Sequence, residues 1–127
     1  MKSRIVATTA VVALLCSTGV NAHHSFAQQY DAEQPITLTG IVMEVSWQNP
    51  HSHIYVETKD DTGKVARWAV EGYPPAALRR QGFARELVKA GDTVTVTGWR
   101  ARATESRMAA LTVTLADGRK LTFGPMP

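Results

Sequence analysis

The chain has 127 residues, with 14 Lys and Arg, 11 Asp and Glu, four His and a single Cys. That length suits one domain with its own core rather than two. One cysteine excludes a disulfide framework, and a net charge of +3 is a weak footprint for a nucleic-acid binder.

The first segment is the most telling. Met1-Lys2-Ser3-Arg4 is short and basic, residues 5–16 are mostly apolar, and the stretch closes on Val20-Asn21-Ala22. The apolar run is shorter than the roughly 20 residues that span a bilayer. Small residues at its end suit a signal-peptidase pocket. Residues 1–22 therefore read as a secretory signal cut after Ala22. Leu15 before Cys16 is the wrong neighbour for a lipid anchor, so the mature chain is expected to lack both cysteine and a stable membrane anchor. Removing Lys2 and Arg4 lowers the basic count from 14 to 12 against 11 acidic residues, a net charge of +1. The expected location is the periplasm or the exterior, with no nucleic acid as partner.

Residues 23–34, "HHSFAQQYDAEQ", show little periodicity and are expected to form an extended arm. From Pro35 the pattern alternates with period two, the mark of a half-buried strand. Ile36 and Leu38 share one phase; Ile41, Met43 and Val45 fall in the other. A glycine at the phase change, Gly40, predicts a bulge there. "HSHIYVET" (51–58) is a second strand, with Ile54 and Val56 on one face and His51, His53, Tyr55 and Glu57 on the other. Asp60-Asp61-Thr62-Gly63 predicts a turn, and "KVARWAVE" (64–71) returns with Ala66, Trp68 and Val70 inward.

Pro74-Pro75 opens a two-turn helix that Gly82 stops, docked by Leu78, with Phe83 and Leu87 entering the core. "TVTVTGWRAR" (93–102) has Val94 and Val96 on one face and the threonines with Trp99 on the other. "SRMAALTVTLADG" (106–118) places Ala109, Leu111, Val113 and Leu115 in phase, and "RKLTF" (119–123) is a short last strand after Asp117-Gly118. Three strands, one short helix and two or three further strands predict an all-β domain over residues 35–127. Its expected form is a small β-barrel resembling an OB-fold, with five to six strands and the helix between strands three and four. Another small barrel or a half-open twisted sheet has the same element order.

The stretches "HHSFAQQYD", "PITLTGIVMEVSWQNPHSHIYVETKDDTGKVARWAVE", "LRRQGF", "GDTVTVTGWRA" and "LADGRKL" resemble a family of small exported bacterial proteins classed as a domain of unknown function, DUF6152. The His-His-Ser-Phe start, the Trp-x-Asn-Pro-His turn and the Asp-Gly-Arg-Lys end carry the resemblance, which covers nearly all of the mature chain. The chain departs from the pattern at "EGYPPAAL", which lacks a capping residue at the helix start. The resemblance implies an exported, OB-like single domain and no established activity.

Chemistry rests on four histidines in two pairs. Cutting before His23 frees an α-amine beside an imidazole on one residue, a ready chelate, and His24 follows. His51 and His53 lie two apart, so in a strand both rings project from one face. Imidazole nitrogen without thiolate suits Cu(II) or Zn(II). Joined, the pairs would resemble at site level the histidine brace of copper proteins. The expected metal ligands are His23, His24, His51 and His53, with Glu57 as a direct or supporting carboxylate. Phe26 and Tyr30 are the anchors that could fold the arm back.

A second reading is a metal-free envelope module that binds a peptide, glycan, small ligand or protein through Trp99, Arg100 and Arg102. No cysteine nucleophile, nucleophile elbow or phosphate loop is present in the mature chain, so an enzyme is not expected.

Overall fold

The computed structural model describes residues 26–103 and 106–124. The expected signal segment and the pair His23 and His24 lie outside the described residues. Residues 26–29 form a helical turn that leads directly into the first strand. Six strands follow: β1 (Tyr30–Ser46), β2 (His53–Lys59), β3 (Val65–Glu71), β4 (Thr93–Ala101), β5 (Arg107–Leu115) and β6 (Lys120–Thr122). A short helix α1 (Pro75–Arg80) and a 3-10 turn (Arg85–Leu87) separate β3 from β4. Among the described residues, no helix is long and apolar enough to cross a membrane.

The protein is mostly β. The strands form one sheet in the order β3-β2-β1-β4-β5-β6, with antiparallel neighbours. A further parallel pairing joins β3 to β5, Ala69 to Glu71 against Arg107 to Ala109. β1 is 17 residues long and serves two partners. Its first part pairs with β4 from Tyr30 to Ile41, and its last part pairs with β2 from Ile41 to Ser46.

The strand begins at Tyr30, ahead of Pro35 where the alternation starts. Residues Tyr30 to Pro35 run with a register irregularity against β4, which hides their period in the sequence.

Phase is where sequence and structure differ most. Gly40 is not a bulge: residues 36, 38, 40 and 42 keep one inward phase, and Val42 is buried while Ile41 and Met43 are exposed. The irregularity falls between Val42 and Glu44, after which Val45 turns inward. Glycine is required at position 40 for closeness. A Cβ there would sit 2.2 Å from the Glu57 carbonyl oxygen and 2.8 Å from Val56 Cγ1.

A second irregularity lies in the β4–β5 pairing, where Thr97 faces Thr112 but Gly98 faces Ala110. Leu111 is the extra residue, and its carbonyl accepts the Phe123 N–H at 2.8 Å. Met108 and Ala110 therefore point into the core in place of Ala109 and Leu111, and Val113 resumes beyond the bulge.

The core holds Val42, Ile54, Val56, Trp68, Val70, Val94, Val96, Met108 and Val113 from the strands, with Leu78 from α1 and Phe83, Val88 and Phe123 beside them. Val88 is fully buried where Leu87 was expected; Leu87 is only half-buried. Each such aliphatic or aromatic side chain contributes about 1.5–3 kcal/mol on burial. α1 has Pro74 at its N-cap with no side-chain cap, as "EGYPPAAL" implies, and Leu78 faces the core. Short and uncapped, it is held by that burial rather than by its own propensity.

Ser52, between the two strand-side histidines, is fully buried, and among the described residues its hydroxyl has no partner. A buried unpaired hydroxyl costs about 1–3 kcal/mol.

Two outcomes follow for urea denaturation. Gly40→Ala forces β1 away from β2 and should lose about 1–3 kcal/mol, the usual cost of overpacking. Ser52→Ala should leave stability unchanged or raise it; a large loss would mean that the hydroxyl has a partner.

Candidate functional site

The site begins with a turn. Asp60 Oδ1 accepts the Thr62 and Lys64 backbone N–H groups, both at 2.9 Å, and Gly63 takes φ of +84°. This turn sets the hairpin register at Lys59 opposite Val65, which carries down the ladder to His53 opposite Glu71. The parallel β3–β5 pairing then sets Glu71 opposite Ala109 and brings Arg107 alongside. Tyr30, at the start of β1, pairs with Ala101 of β4, next to the same corner.

Glu71 is the centre of what these elements bring together. Its side chain is only 7% exposed. Tyr30 donates its hydroxyl to Glu71 Oε2 at 2.5 Å, and Arg107 Nη2 donates to the same oxygen. Arg107 Nε donates to the Tyr30 hydroxyl at 3.1 Å. The other carboxylate oxygen, Oε1, lies 2.5 Å from His51 Nδ1. His53 Nε2 is 3.7 Å from Oε2, and the His53 ring stacks on Tyr55 with centroids 6.1 Å apart.

Burial would push the Glu71 carboxyl up. The contacts with His53, Tyr30 and Arg107 and the Arg107 charge outweigh that and hold it well below the ordinary carboxylate range. Burial, then the hydrogen bond to Glu71 and its charge, pushes the Tyr30 phenol up.

The arm is seated here as well. Phe26 packs against Tyr30 and edge-on against Trp99, with centroids 5.2 and 6.1 Å apart. Ala101 and Ala109 floor this small cluster. Arg102 donates through Nε to the Ala27 carbonyl at 3.0 Å, through its backbone N–H to the Gln29 carbonyl at 2.9 Å, and pairs with Asp31 at 3.4 Å.

Of the predicted ligands, His51 and His53 meet at one carboxylate, while His23 and His24 lie outside the described residues. The carboxylate that they meet is Glu71. Glu57 stands opposite Arg67, four residues further along β2 from His53, about 13 Å at strand rise. Among the described residues, no three His, Cys, Asp or Glu side chains are grouped as a metal site would need. Trp99 and Arg102 face the arm, and the Arg100 guanidinium lies over the Trp68 ring at 5.1 Å. Tyr30, Glu71 and Arg107 are the residues that sequence reasoning did not place in the site. The hairpin register could have placed Glu71, because counting back from the turn sets it against His53.

Fold and site together define a small β-rich domain with a buried, multiply bonded carboxylate at a strand corner. The chain belongs to DUF6152, a family of unknown function whose model matches residues 11–109 and so spans every residue of this cluster. No curated protein and no solved structure matches the chain.

The pH dependence of stability checks the Glu71 cluster. A carboxyl lowered on folding contributes stability that is complete above its unfolded value, about 4.3, and is lost as the pH falls below it. The raised Tyr30 phenol contributes below about pH 10 and loses its contribution above that. Glu71→Gln should cost about 1.5–3 kcal/mol at neutral pH, the scale of hydrogen bonds to a charged group. It should also flatten the acid limb of the melting temperature measured in metal-free buffer. An acid limb equal to that of the wild type would assign the effect to other carboxylates.

Proposed function

We propose that this chain is an exported OB-like binding protein. In this reading it holds Cu(II) or Zn(II) through His23 and His24 of the mature terminus together with His51 and His53. The barrel reading is supported by the β3–β5 pairing, which links β1-β2-β3-β5-β4 and back to β1 in a circuit, and by the helix between β3 and β4.

The observation that carries the metal reading is the hydrogen bond from Tyr30 to Glu71, whose other oxygen meets His51. It ties the start of β1 to the strand-side histidines. Cleavage after Ala22 would leave three residues ahead of Phe26, about 11 Å of chain at full extension. Phe26 itself rests on Tyr30 and Trp99. Residues 26–31 are thereby held by contacts that need no metal.

An α-amine and imidazole on one residue chelate a divalent ion and release their protons near neutral pH. Imidazole and amine nitrogens without thiolate favour Cu(II), with Zn(II) close behind. Arg107 does not oppose a cation here, because Glu71 neutralises it within the cluster. The role would be sequestration or delivery rather than turnover.

The metal-free module is the weaker reading. Trp99 and Arg102, two residues of its face, are engaged with residues 26–31.

The test uses protein secreted through its own signal, with the terminus verified by intact mass. It should bind one equivalent of Cu(II), more tightly than a form carrying one extra residue before His23. His51→Ala combined with His53→Ala should weaken binding as well. Equal, weak binding by all three forms would refute the reading.

A further inference from the structure

We propose that residues 26–31 are an exchangeable arm. The seat that they occupy on β4 and β5 also takes the same segment of a second copy of this chain, so that two copies complete each other. The exchange needs no metal and goes beyond the metal reading above.

The seat holds the arm as it would hold a separate peptide. Phe26 packs edge-on against Trp99, over a floor of Ala101 and Ala109. Arg102 donates through Nε to the Ala27 carbonyl and through its backbone N–H to the Gln29 carbonyl, and its guanidinium pairs with Asp31. Tyr30 adds the bond from its hydroxyl to Glu71. An aromatic anchor, main-chain carbonyls and one acidic side chain are means by which a peptide in trans is held. None of these contacts requires arm and seat to share a chain, and Ala27 and Arg102 lie 75 residues apart in sequence.

The link between the arm and the sheet has slack. Tyr30 pairs with Ala101 and Pro35 with Trp99, so residues 31–34 stand opposite Arg100 alone, three more than a regular ladder holds. Ala32, Glu33 and Gln34 are exposed. The Glu33 N–H and the Gln34 amide turn back onto Asp31 at 3.1 and 3.2 Å, which folds the slack into a local loop. Opened out, these four residues span about 14 Å in place of the rise of one. Pro35 biases Gln34 toward extended backbone, which favours the opened form.

Exchange conserves the contacts. Each Glu71 receives the partner's Tyr30 and each Trp99 the partner's Phe26, while the β1–β4 ladder from Pro35 onward stays within its own chain. Every bond of the closed arm is remade and only the linker changes, the low-cost route to a dimer. A second copy is the occupant because it carries the one segment that this seat is shown to fit.

The experiment uses the mature chain in chelator-containing buffer, unfolded in urea and refolded over a range of concentrations. Wild type should give a dimer whose share rises with concentration in size-exclusion chromatography with light scattering. Two charge-reversed variants, Asp31→Arg and Arg102→Asp, set like charges together whenever an arm sits in a seat of its own kind. Refolded as a mixture, they regain an opposite-charge pair at both seats, and only by exchange. Mixed dimers counted by native mass spectrometry should exceed same-variant dimers about tenfold. In wild-type dimers made from labelled and unlabelled chains, isotope-filtered contacts from Phe26 to Trp99 should run between chains.

A wild type that stays monomeric at every concentration would overturn the exchange. Mixed and same-variant dimers in statistical proportion would place the interface elsewhere and overturn it too. Phe26–Trp99 contacts confined to one chain would do the same even if a variant fails to fold. No readout involves a metal, so failure of the metal reading would leave these outcomes as they stand.

Discussion

A carboxylate buried in a β-sheet corner is expensive to desolvate, and it persists only if donors replace the lost water. Glu71 gathers its partners from segments far apart in the chain: the donors Tyr30 at the head of β1 and Arg107 at the head of β5, and the His51 ring before β2. Each segment is therefore held by the need of one oxygen pair. Residues 26–29, packed against Tyr30, Trp99 and Arg102, belong to the folded domain as well. Removing the partners one at a time would leave the same charge less compensated, which couples the three segments energetically.

The sheet separates this polar corner from the core by simple alternation. On β5, Met108 and Ala110 enter the core while Ala109 supports Tyr30 and Phe26 on the other side. On β4, Val94 and Val96 point inward and Trp99 covers the arm. On β2, Ile54 and Val56 are fully buried while His53 lies on the opposite face, with Glu71 across from it on β3. One set of strands thus builds both a dry interior and a hydrogen-bonded rim.

Local signals in the sequence were sound. The hairpin around Gly63, the Pro-initiated helix and the alternation of β2, β3 and β4 all follow from neighbours a few residues apart. The errors arose where a distant partner decides. Gly40 looks like a phase change, but its demand is the approach of the Glu57 carbonyl, which belongs to another strand. The bulge at Leu111 leaves no mark in its own stretch, because it appears only against β4 and through the bond from Phe123.

Within the site, the histidine pair was legible from its spacing, and Glu71 was within reach of a register count. Glu57 shares the histidine face of one strand, but cross-strand pairing is the stronger relation and sets Glu71 against His53. Tyr30 and Arg107 depend on the β1–β4 and β3–β5 pairings, which no short stretch encodes.

The double service of β1 has a consequence for how the chain assembles. Its first half lies against β4, with Thr39 and Thr95 hydroxyls 2.9 Å apart across a separation of 56 residues. Such non-local pairing must bear its loop-closure entropy before any contact rewards it. The head of β1 can find no permanent neighbour until β4, which begins at residue 93 of 127, has been synthesised. The half of β1 that pairs with β2 is served by a near neighbour, so the two halves of one strand differ in how far along the chain their partners lie.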